Sequence, residues 1–382
     1  WLALGFCTVA QCFGQLSKQW DFPLPGATFV EPNCTAMGPD GYLVIAHNVA
    51  RTDGGRVFTR LSKVNSQGQL VWSTDIGDPS TSTIATRIKI DDLGRIYVSF
   101  QFGNVESWNG LSVYSALGTF EWQSEFFDTQ PLGNNGNGVF VTVDSQRNVI
   151  AAIALPAGVT NYDGADVVVR KLTQFGSTLW ERSYSGIATD YVVGVGADQS
   201  DSVYVGGAED FIDQSGHSLT SYTLVMKYTS TGTLAWRRNY AGPNDGAGGQ
   251  LFYVDSVGNS YLPLRFKTTT GNGTLQGALS YNAAGLLRWN QEYETGTPAG
   301  QSSDTLLRGA FGHGIIVTAY DHDFLPSIGQ VINAADGNLI YSLVDLPGGP
   351  YWRPFWPAID NLGRVYIGAT QFENGEPIRR IL

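Results

Sequence analysis

The sequence predicts an all-β protein made of many short strands. Its 382 residues include Gly 47, Trp 10, Tyr 18 and Phe 19, while only 15% are charged. Such a composition is typical of short strands that are joined by tight turns and packed by aromatic side chains. No long stretch repeats apolar residues at the 3.6-residue spacing of an amphipathic helix. Two signals that recur along the chain predict how the strands are arranged.

The first signal is a tight turn followed by a strand, and it occurs seven times. DDLGRIYVSF and DNLGRVYIGA are two clear copies. Asp-x-x-Gly is turn chemistry, because Asp bonds its own backbone and Gly accepts a positive φ. Most copies carry an aromatic or branched residue three positions after the turn residue that anchors the signal. The anchors are 51 to 57 residues apart and fall at Gly41, Gly94, Arg147, Asp201, Gly258, Gly312 and Gly363.

The second signal is a strand, a Gly-rich turn and a strand with a large aromatic residue. It occurs six times in phase with the first signal, at Trp72, Trp122, Trp180, Trp236, Trp289 and Tyr341. We expect each Trp to pack between neighbouring sheets, so that truncation to Ala costs ~3–5 kcal/mol. Because these positions build the scaffold, we do not expect catalysis from them.

A repeat of this length with four short strands predicts a seven-bladed β-propeller. One four-stranded sheet cannot bury both of its faces and must stack against others in a ring. We name the strands of a blade A to D, from the channel outward. The last blade has an A strand near residues 355–360, a B strand near 364–370 and a C strand at 377–382. Its D strand is expected from residues 18–24, which carry Trp20, so that an N-terminal outer strand closes the ring and leaves no free edge.

Parts of the repeat resemble known propeller families. TDYVVGVGADQSDSVYVGGA and SYTLVMKYTSTGTLAWRRNYAG resemble bacterial propellers of the SBBP type, and QVINAADGNLIYSL is similar to the wider quinoprotein-like (PQQ-like) superfamily. The resemblance covers nearly all of residues 15–382 and implies a propeller scaffold and export, without a shared chemistry. The quinone-dependent enzymes of that superfamily typically have eight blades and a vicinal Cys pair. This chain has seven repeats and no adjacent cysteines, so no cofactor is expected.

Charge and the N-terminal segment limit the partners. The net charge of -11 argues against nucleic acid or an anionic membrane, and basic pairs such as Arg237-Arg238 are expected to flank strands. Residues 1–14 are uncharged, apolar and too short to span a bilayer, so they are interpreted as the remnant of a signal peptide. The remaining domain, residues 15–382, holds Cys34 as its one cysteine. We therefore predict a secreted, periplasmic or cell-surface monomer without a membrane span.

The candidate binding residues lie on one face of the predicted ring. Alternating strand direction places the short A–B and C–D turns on one face and the longer B–C and D–A connections on the other, which we call the long-loop face. Motifs for a nucleophile elbow, a phosphate-binding loop or a zinc site are not found, so neither a metal nor a catalytic set is predicted. Candidate binding residues on this face are Trp108, Tyr162, Asp321, His322, Asp323, Tyr351, Trp352 and Arg353.

Three segments of that face each allow two interpretations. The segment 320–323 could ligate a divalent ion or supply acid and base groups, but an ordinary polar loop is favoured. The segment 350–356 could stack on a sugar or grip a peptide, or Phe355 and Trp356 could begin strand A and pack inward. The acidic segment 209–213, with His217, could bind calcium. It lacks the Asp-x-Asp-x-Asp-Gly loop, so a solvated loop is favoured.

The sequence thus predicts an exported scaffold that binds a protein or a glycan through its long-loop face. One alternative is a hydrolase or lyase that acts on a carbohydrate or lactone and uses carboxylates such as Asp321 and Asp323. A second alternative is a structural domain of a larger exported protein. Whether the chain is an enzyme is left open.

Overall fold

A computed structural model describes most of the chain after the N-terminal segment. The described residues are 32–50, 57–76, 82–102, 108–126, 138–156, 165–186, 189–212, 218–242, 247–249, 251–267, 274–293, 307–320, 328–344, 353–359, 363, 365–373 and 376–381. The proposed signal remnant, Trp20 and the predicted closing strand lie outside them. No helix occurs in these ranges, and hence none that is long and apolar enough to cross a membrane.

Within the described residues, twenty-eight strands form seven antiparallel sheets that follow one another along the chain. The first four sheets contain β1 (Pro32–Met37), β2 (Leu43–Ala50), β3 (Val57–Val64) and β4 (Leu70–Ile76); β5 (Thr83–Ile90), β6 (Ile96–Phe102), β7 (Trp108–Tyr114) and β8 (Phe120–Phe126); β9 (Phe140–Val143), β10 (Val149–Pro156), β11 (Ala165–Leu172) and β12 (Thr178–Tyr184); and β13 (Thr189–Ala197), β14 (Val203–Ile212), β15 (Ser218–Tyr228) and β16 (Leu234–Tyr240).

The last three sheets are less regular. They contain β17 (Ala247–Gly249), β18 (Tyr253–Val254), β19 (Ser260–Lys267), β20 (Thr274–Tyr281) and β21 (Leu287–Tyr293); β22 (Leu307–Gly312), β23 (Ile315–Tyr320), β24 (Ile328–Asn333) and β25 (Leu339–Val344); and β26 (Arg353–Ile359), β27 (Val365–Glu373) and β28 (Glu376–Ile381). The first strand of the fifth sheet is interrupted, so that β17 and β18 both pair with β19. The last three strands lie close to the ranges that the sequence predicts for the final blade.

The sheets lie side by side through their first strands. β1 contacts β5, β5 contacts β9, β9 contacts β13 and β13 contacts β18. Tyr253 of β18 stacks on Phe311 of β22 with ring centroids 5.7 Å apart, and β22 contacts β26. β26 also contacts β1, so the seventh sheet lies beside the first.

The turns between first and second strands confirm six of the seven predicted anchors. Positive φ values occur at Gly41, Gly94, Arg147, Asp201, Gly258 and Gly363. The prediction at Gly312 is wrong, because this residue ends β22 and pairs with Ile315. The turn there is formed by His313 and Gly314, with φ values of 50° and 73°. Two central residues with positive φ are what a two-residue hairpin turn requires, so this turn is tighter than the others.

Turn Asp and strand Tyr residues recur because they bond to each other. In the second sheet, Asp91 Oδ1 accepts the backbone N–H groups of Leu93 and Arg95, both at 2.9 Å. Its Oδ2 accepts the hydroxyl of Tyr97 at 2.9 Å. The Tyr204–Asp198 and Tyr261–Asp255 pairs repeat this contact at 2.9 and 2.8 Å. The turn Asp therefore ties the turn to the following strand.

The Trp residues of five outer strands pack against the next sheet, as predicted. A Cβ on Gly232 would lie 2.8 Å from the ring of Trp180, so this turn Gly leaves room for the indole. The indole N–H of Trp180 also donates to the carbonyl of Ser230 at 3.0 Å. The same close approach joins Trp72 to Gly118, Trp122 to Gly176, Trp236 to Gly285 and Trp289 to Gly337.

Candidate functional site

A cavity lined by several polar side chains lies at the boundary between the third and fourth sheets, near the ends of β12, β14 and β16. Those ends carry the B–C and D–A connections, so the cavity lies on the long-loop side. It has a volume of about 350 Å³. We call it the Glu209 pocket; its lining residues are Tyr184, Ser185, Gly186, Glu209, Tyr222, Arg237 and Asn239.

Strand register brings the polar side chains together. Asp190 of β13 pairs directly with Glu209 of β14, and Glu209 pairs with Tyr222 of β15. Directly opposite residues project from the same face of a sheet. Arg237 and Asn239 lie two residues apart on β16, so they also share a face. Tyr184, which ends β12, completes the pocket from the third sheet.

Glu209 is a buried acceptor held by three neighbours. Only 4% of the residue is exposed. The Tyr184 hydroxyl donates to Oε1 at 2.5 Å, and the Asn239 amide donates to Oε2. The Arg237 guanidinium donates to the Tyr184 hydroxyl and lies 3.8 Å from Glu209 Oε1. These charge-assisted contacts fix the orientation of the carboxylate.

Asp190 lies behind the pocket and is fully buried. Its Oδ2 accepts the backbone N–H of Gly186 at 2.8 Å, whereas its Oδ1 has no hydrogen-bond partner among the described residues. Burial raises the pKa of Asp190 from 3.8 to about 7; the nearby Glu209 adds to this rise, and the Gly186 amide opposes it. Asp190 can therefore hold or release a proton close to neutral pH.

Gly186 closes over both carboxyl groups. A Cβ at this position would lie 2.7 Å from Asp190 Oδ1 and 3.1 Å from Glu209 Oε1. Oxygens of both carboxyl groups therefore lie close to the position that a Cβ of residue 186 would occupy. Because this residue is Gly, that position stays open. Burial and the hydrogen bond to Glu209 raise the pKa of Tyr184, so its hydroxyl stays a donor.

None of the predicted site residues that the structure describes lies in this pocket. Trp108 is not a loop residue, because it begins β7 and pairs with Phe102 of β6. Arg353 begins β26 and pairs with Thr370. Neither lines the Glu209 pocket. Tyr162, Asp321, His322, Asp323, Tyr351 and Trp352 lie outside the described residues.

Two expectations about the pocket residues are wrong. Glu209 does not belong to a solvated acidic loop, because β14 continues to Ile212 and the Glu209 side chain is buried in the sheet boundary. Arg237 does not flank a strand, because it lies within β16, where it contacts Tyr184 and Glu209 of the pocket. The available signal was the alternation of Val203, Val205 and Gly207, which places Glu209 on the same face. Within the described part of the chain, no three His, Cys, Asp or Glu side chains form a group that could hold a metal ion.

Comparison with known proteins shows the fold. No protein-family model matches the chain, and no curated protein is significantly similar to it in sequence. Among solved structures, the β-propeller domain of the Trilobed protease from Pyrococcus furiosus is 8% identical with a TM-score of 0.56, and the match covers 93% of each chain. An ulvan lyase of polysaccharide lyase family PL25 is 10% identical with a TM-score of 0.54, covering 92% of this chain and 93% of that one.

A quinohemoprotein alcohol dehydrogenase from Pseudomonas putida is also similar, with 9% identity and a TM-score of 0.44 over 89% of this chain and 68% of that one. The structural neighbours are β-propellers of varied function. Together with the succession of antiparallel sheets, the likeness to the Trilobed protease domain and to the ulvan lyase makes this chain a β-propeller protein. The particular resemblance to SBBP-type repeats remains a prediction, and at these identities the likeness shows the fold alone.

Proposed function

We propose that this propeller is an exported glycan-binding protein and that the Glu209 pocket is its binding site. The observation that carries the proposal is the set of groups around the pocket. Tyr184 and Tyr222 offer aromatic faces, Glu209 is an oriented acceptor, and Arg237 and Asn239 supply donors at an exposed rim. A few fixed polar groups beside aromatic rings are what recognition of a hydroxyl-rich ring requires.

Glycan binding is tested by screening an oligosaccharide array and then titrating each hit calorimetrically. We expect Glu209→Gln to weaken binding by about 10- to 100-fold, because it removes a charge-assisted acceptor worth ~1.5–3 kcal/mol. Glu181→Gln is the matched control, since Glu181 is an exposed carboxylate that pairs with Arg170 on the outside of the third sheet. Equal affinities of wild type and Glu209→Gln would show that the Glu209 pocket is not the glycan-binding site.

A carbohydrate-acting lyase or hydrolase is the second candidate. It is supported by two carboxyl groups that face one point and by the pKa of about 7 for Asp190, which suits proton transfer at neutral pH. The candidate acid and base groups are then Asp190 and Glu209, in addition to the predicted Asp321 and Asp323. The test is a screen of polysaccharides and lactones. Asp190→Asn should lower any activity found at least 100-fold, whereas unchanged turnover would exclude Asp190.

We also propose that the seven sheets are the blades of one closed ring, completed by residues 18–24 as the outer strand of the last blade. Contact between β26 and β1 supports the ring, and a last sheet with three described strands leaves room for a fourth. The Trilobed protease domain is described as having an open velcro topology, so propellers of this shape need not close with a shared strand. Deleting residues 15–24 should lower the melting temperature and promote self-association through the exposed edge. An unchanged monomer would contradict closure.

Export and a monomeric state belong to the same proposal. They are supported by the apolar residues 1–14 and by the net charge of -11. Trp108, Tyr162, Asp321, His322, Asp323, Tyr351, Trp352 and Arg353 are proposed to extend the binding face around the pocket. Alanine substitution of Trp352 and Arg353 should weaken the binding of a long ligand more than that of a short one.

A further inference from the structure

A second cavity runs through the centre of the molecule, where the first strands of all seven sheets meet. Its volume is about 420 Å³. We call it the central channel. Its described lining residues come from the innermost part of every sheet: Thr35, Ala36, Thr86, Arg87, Ile88, Lys89, Thr142, Val195, Gly196, Ala197, Phe252, Tyr253, Val254, Gly309, Ala310, Phe311 and Pro357.

The described lining of the channel is positively charged, although the protein as a whole carries a net charge of -11. Arg87 and Lys89, both on β5, are the charged residues among the described lining, which contains no Asp or Glu. The other polar side chains there are hydroxyls of Thr and Tyr. Low-dielectric walls around charges of one sign concentrate their field in the cavity.

Arg87 lies against an aromatic ring. Its guanidinium carbon lies 3.6 Å from the centroid of the Phe140 ring, within the range of a cation–π contact. Its charge also lowers the pKa of Tyr253, against a larger rise caused by burial, so the guanidinium acts across the channel on the fifth sheet. A cation fixed in this way needs little further ordering when an anion binds.

Lys89 is accessible to water although the channel walls surround it. Among the described residues, no carboxylate lies within ion-pair distance of its ammonium. The charge of Asp91 acts on Lys89, but the Asp91 oxygens accept hydrogen bonds from turn amides and from the Tyr97 hydroxyl. Although its side chain reaches the water of the cavity, desolvation by the channel walls lowers the pKa of Lys89, against the opposing charge of Asp91, and no described carboxylate pairs with its positive charge. An anion in the channel would compensate it.

We propose that the central channel binds an oxyanion, which lies between Arg87 and Lys89 and accepts further hydrogen bonds from Thr86 or Thr142. The shared ligand chemistry is a carboxylate, sulfate or phosphate group small enough for the channel. This site is separate from the Glu209 pocket, since the two cavities have no lining residue in common. It does not depend on the proposed glycan binding.

The proposal is tested by thermal unfolding of the full chain with inorganic phosphate, sulfate or glucuronate, against chloride at the same ionic strength. We expect at least one of these oxyanions to raise the melting temperature saturably, as a ligand of the native state does. Lys89→Met and Arg87→Gln should each weaken this apparent affinity at least tenfold. Arg60→Gln is the control, because Arg60 is a cation on the outside of the first sheet that pairs with Asp75.

Lys89→Met decides the test if Arg87→Gln fails to fold. Lys89 makes no ion pair within the described residues, and Met keeps most of its apolar stem. Phosphate or sulfate binding without glucuronate binding would identify an inorganic or esterified group, and the reverse would identify a carboxylate. Three results would overturn the proposal: no saturable rise with any of the three anions, the same rise in Lys89→Met, or an equal loss in Arg60→Gln.

Discussion

Two boundaries between neighbouring sheets share one register but differ in chemistry. Where the first sheet meets the second, the equivalent positions hold Ile76, Thr83 and Phe102. Where the third meets the fourth, they hold Tyr184, Asp190 and Glu209. Thr83 pairs with Phe102 in the same register in which Asp190 pairs with Glu209. We call them the threonine boundary and the carboxylate boundary.

The threonine boundary is neutral and its hydrogen bonds are satisfied. The Thr83 hydroxyl donates to the Ile76 carbonyl at 3.0 Å and accepts the Thr59 N–H at 3.1 Å. The Thr59 hydroxyl accepts the Ala85 N–H at 2.8 Å. The carboxylate boundary instead holds two buried acidic groups, an oxygen of Asp190 without a hydrogen-bond partner among the described residues, and a cavity. Because the same backbone accommodates both, the carboxylates are a departure from what the scaffold requires, which is typical of a functional site.

The largest expected effect is the transfer of a carboxylate into the threonine boundary. Thr83→Asp should lower the free energy of unfolding at pH 8 by ~3–5 kcal/mol, because it buries a charge that no cation compensates. Thr83→Val, which keeps the shape but loses the hydroxyl, should cost ~1–3 kcal/mol. Urea unfolding measures both. If Thr83→Asp cost no more than Thr83→Val, the two boundaries would be equally tolerant of charge.

Neutralising the buried carboxyl group should change the pH dependence of stability. The pKa of Asp190 is raised to about 7, so the native state binds an extra proton between about pH 4 and pH 7, and stability falls as the pH rises through this window. Asp190→Asn should therefore be more stable than wild type at pH 8 by ~2–4 kcal/mol, with little difference at pH 4. The measurement is urea unfolding across this pH range.

Comparing the variant with wild type isolates Asp190 from other titratable groups, among them the buried His47. Burial lowers the pKa of His47 from 6.5 to about 4, so its contribution has the opposite sign: stability rises with pH between about 4 and 6.5. His47 is present in both proteins and cancels in their difference. A difference that does not change with pH would mean that Asp190 titrates normally.

A smaller effect is expected from the hydroxyl that holds Glu209. Tyr184→Phe should destabilise the protein by ~1–2 kcal/mol, because it removes a hydrogen bond to a buried charge. Tyr240→Phe is the matched control at the equivalent position of the fourth sheet. Its hydroxyl accepts a bond from the exposed Asn290 amide at 2.8 Å, so its loss should cost less. If both variants lost the same stability in thermal or urea unfolding, the hydrogen bond to Glu209 would contribute no more than the exposed one.

Much of the scaffold could be predicted because it rests on local chemistry that repeats. Asp91 and Tyr97 lie six residues apart, and Trp180 meets the turn of the next repeat at a fixed spacing. The turn at His313 was misplaced because that copy has no turn Asp, so the signal lost its anchor. The buried ion pair of Lys171 with Asp144, 2.8 Å apart, is not visible in the sequence, because Lys171 lies on β11 and Asp144 in the turn after β9.

The only feature of the pocket that could be predicted is that it lies on the long-loop face. Asp190 and Glu209 become neighbours through the pairing of β13 with β14, and Tyr184 joins them from another sheet. Neither the register nor the stacking of sheets is visible in a single sequence. The predicted alternatives used runs of adjacent polar or aromatic residues, such as 321–323 and 351–353, and such runs do not reveal side chains that converge from separate strands.

The most direct test of the central claim is a crystal structure of the protein with the tightest oligosaccharide from the array. The proposal predicts a sugar ring in the Glu209 pocket, within hydrogen-bond distance of Glu209 and against the ring of Tyr184 or Tyr222. Density for the sugar at any other place, with an empty Glu209 pocket, would contradict the claim that the carboxylate boundary is the functional site of this propeller.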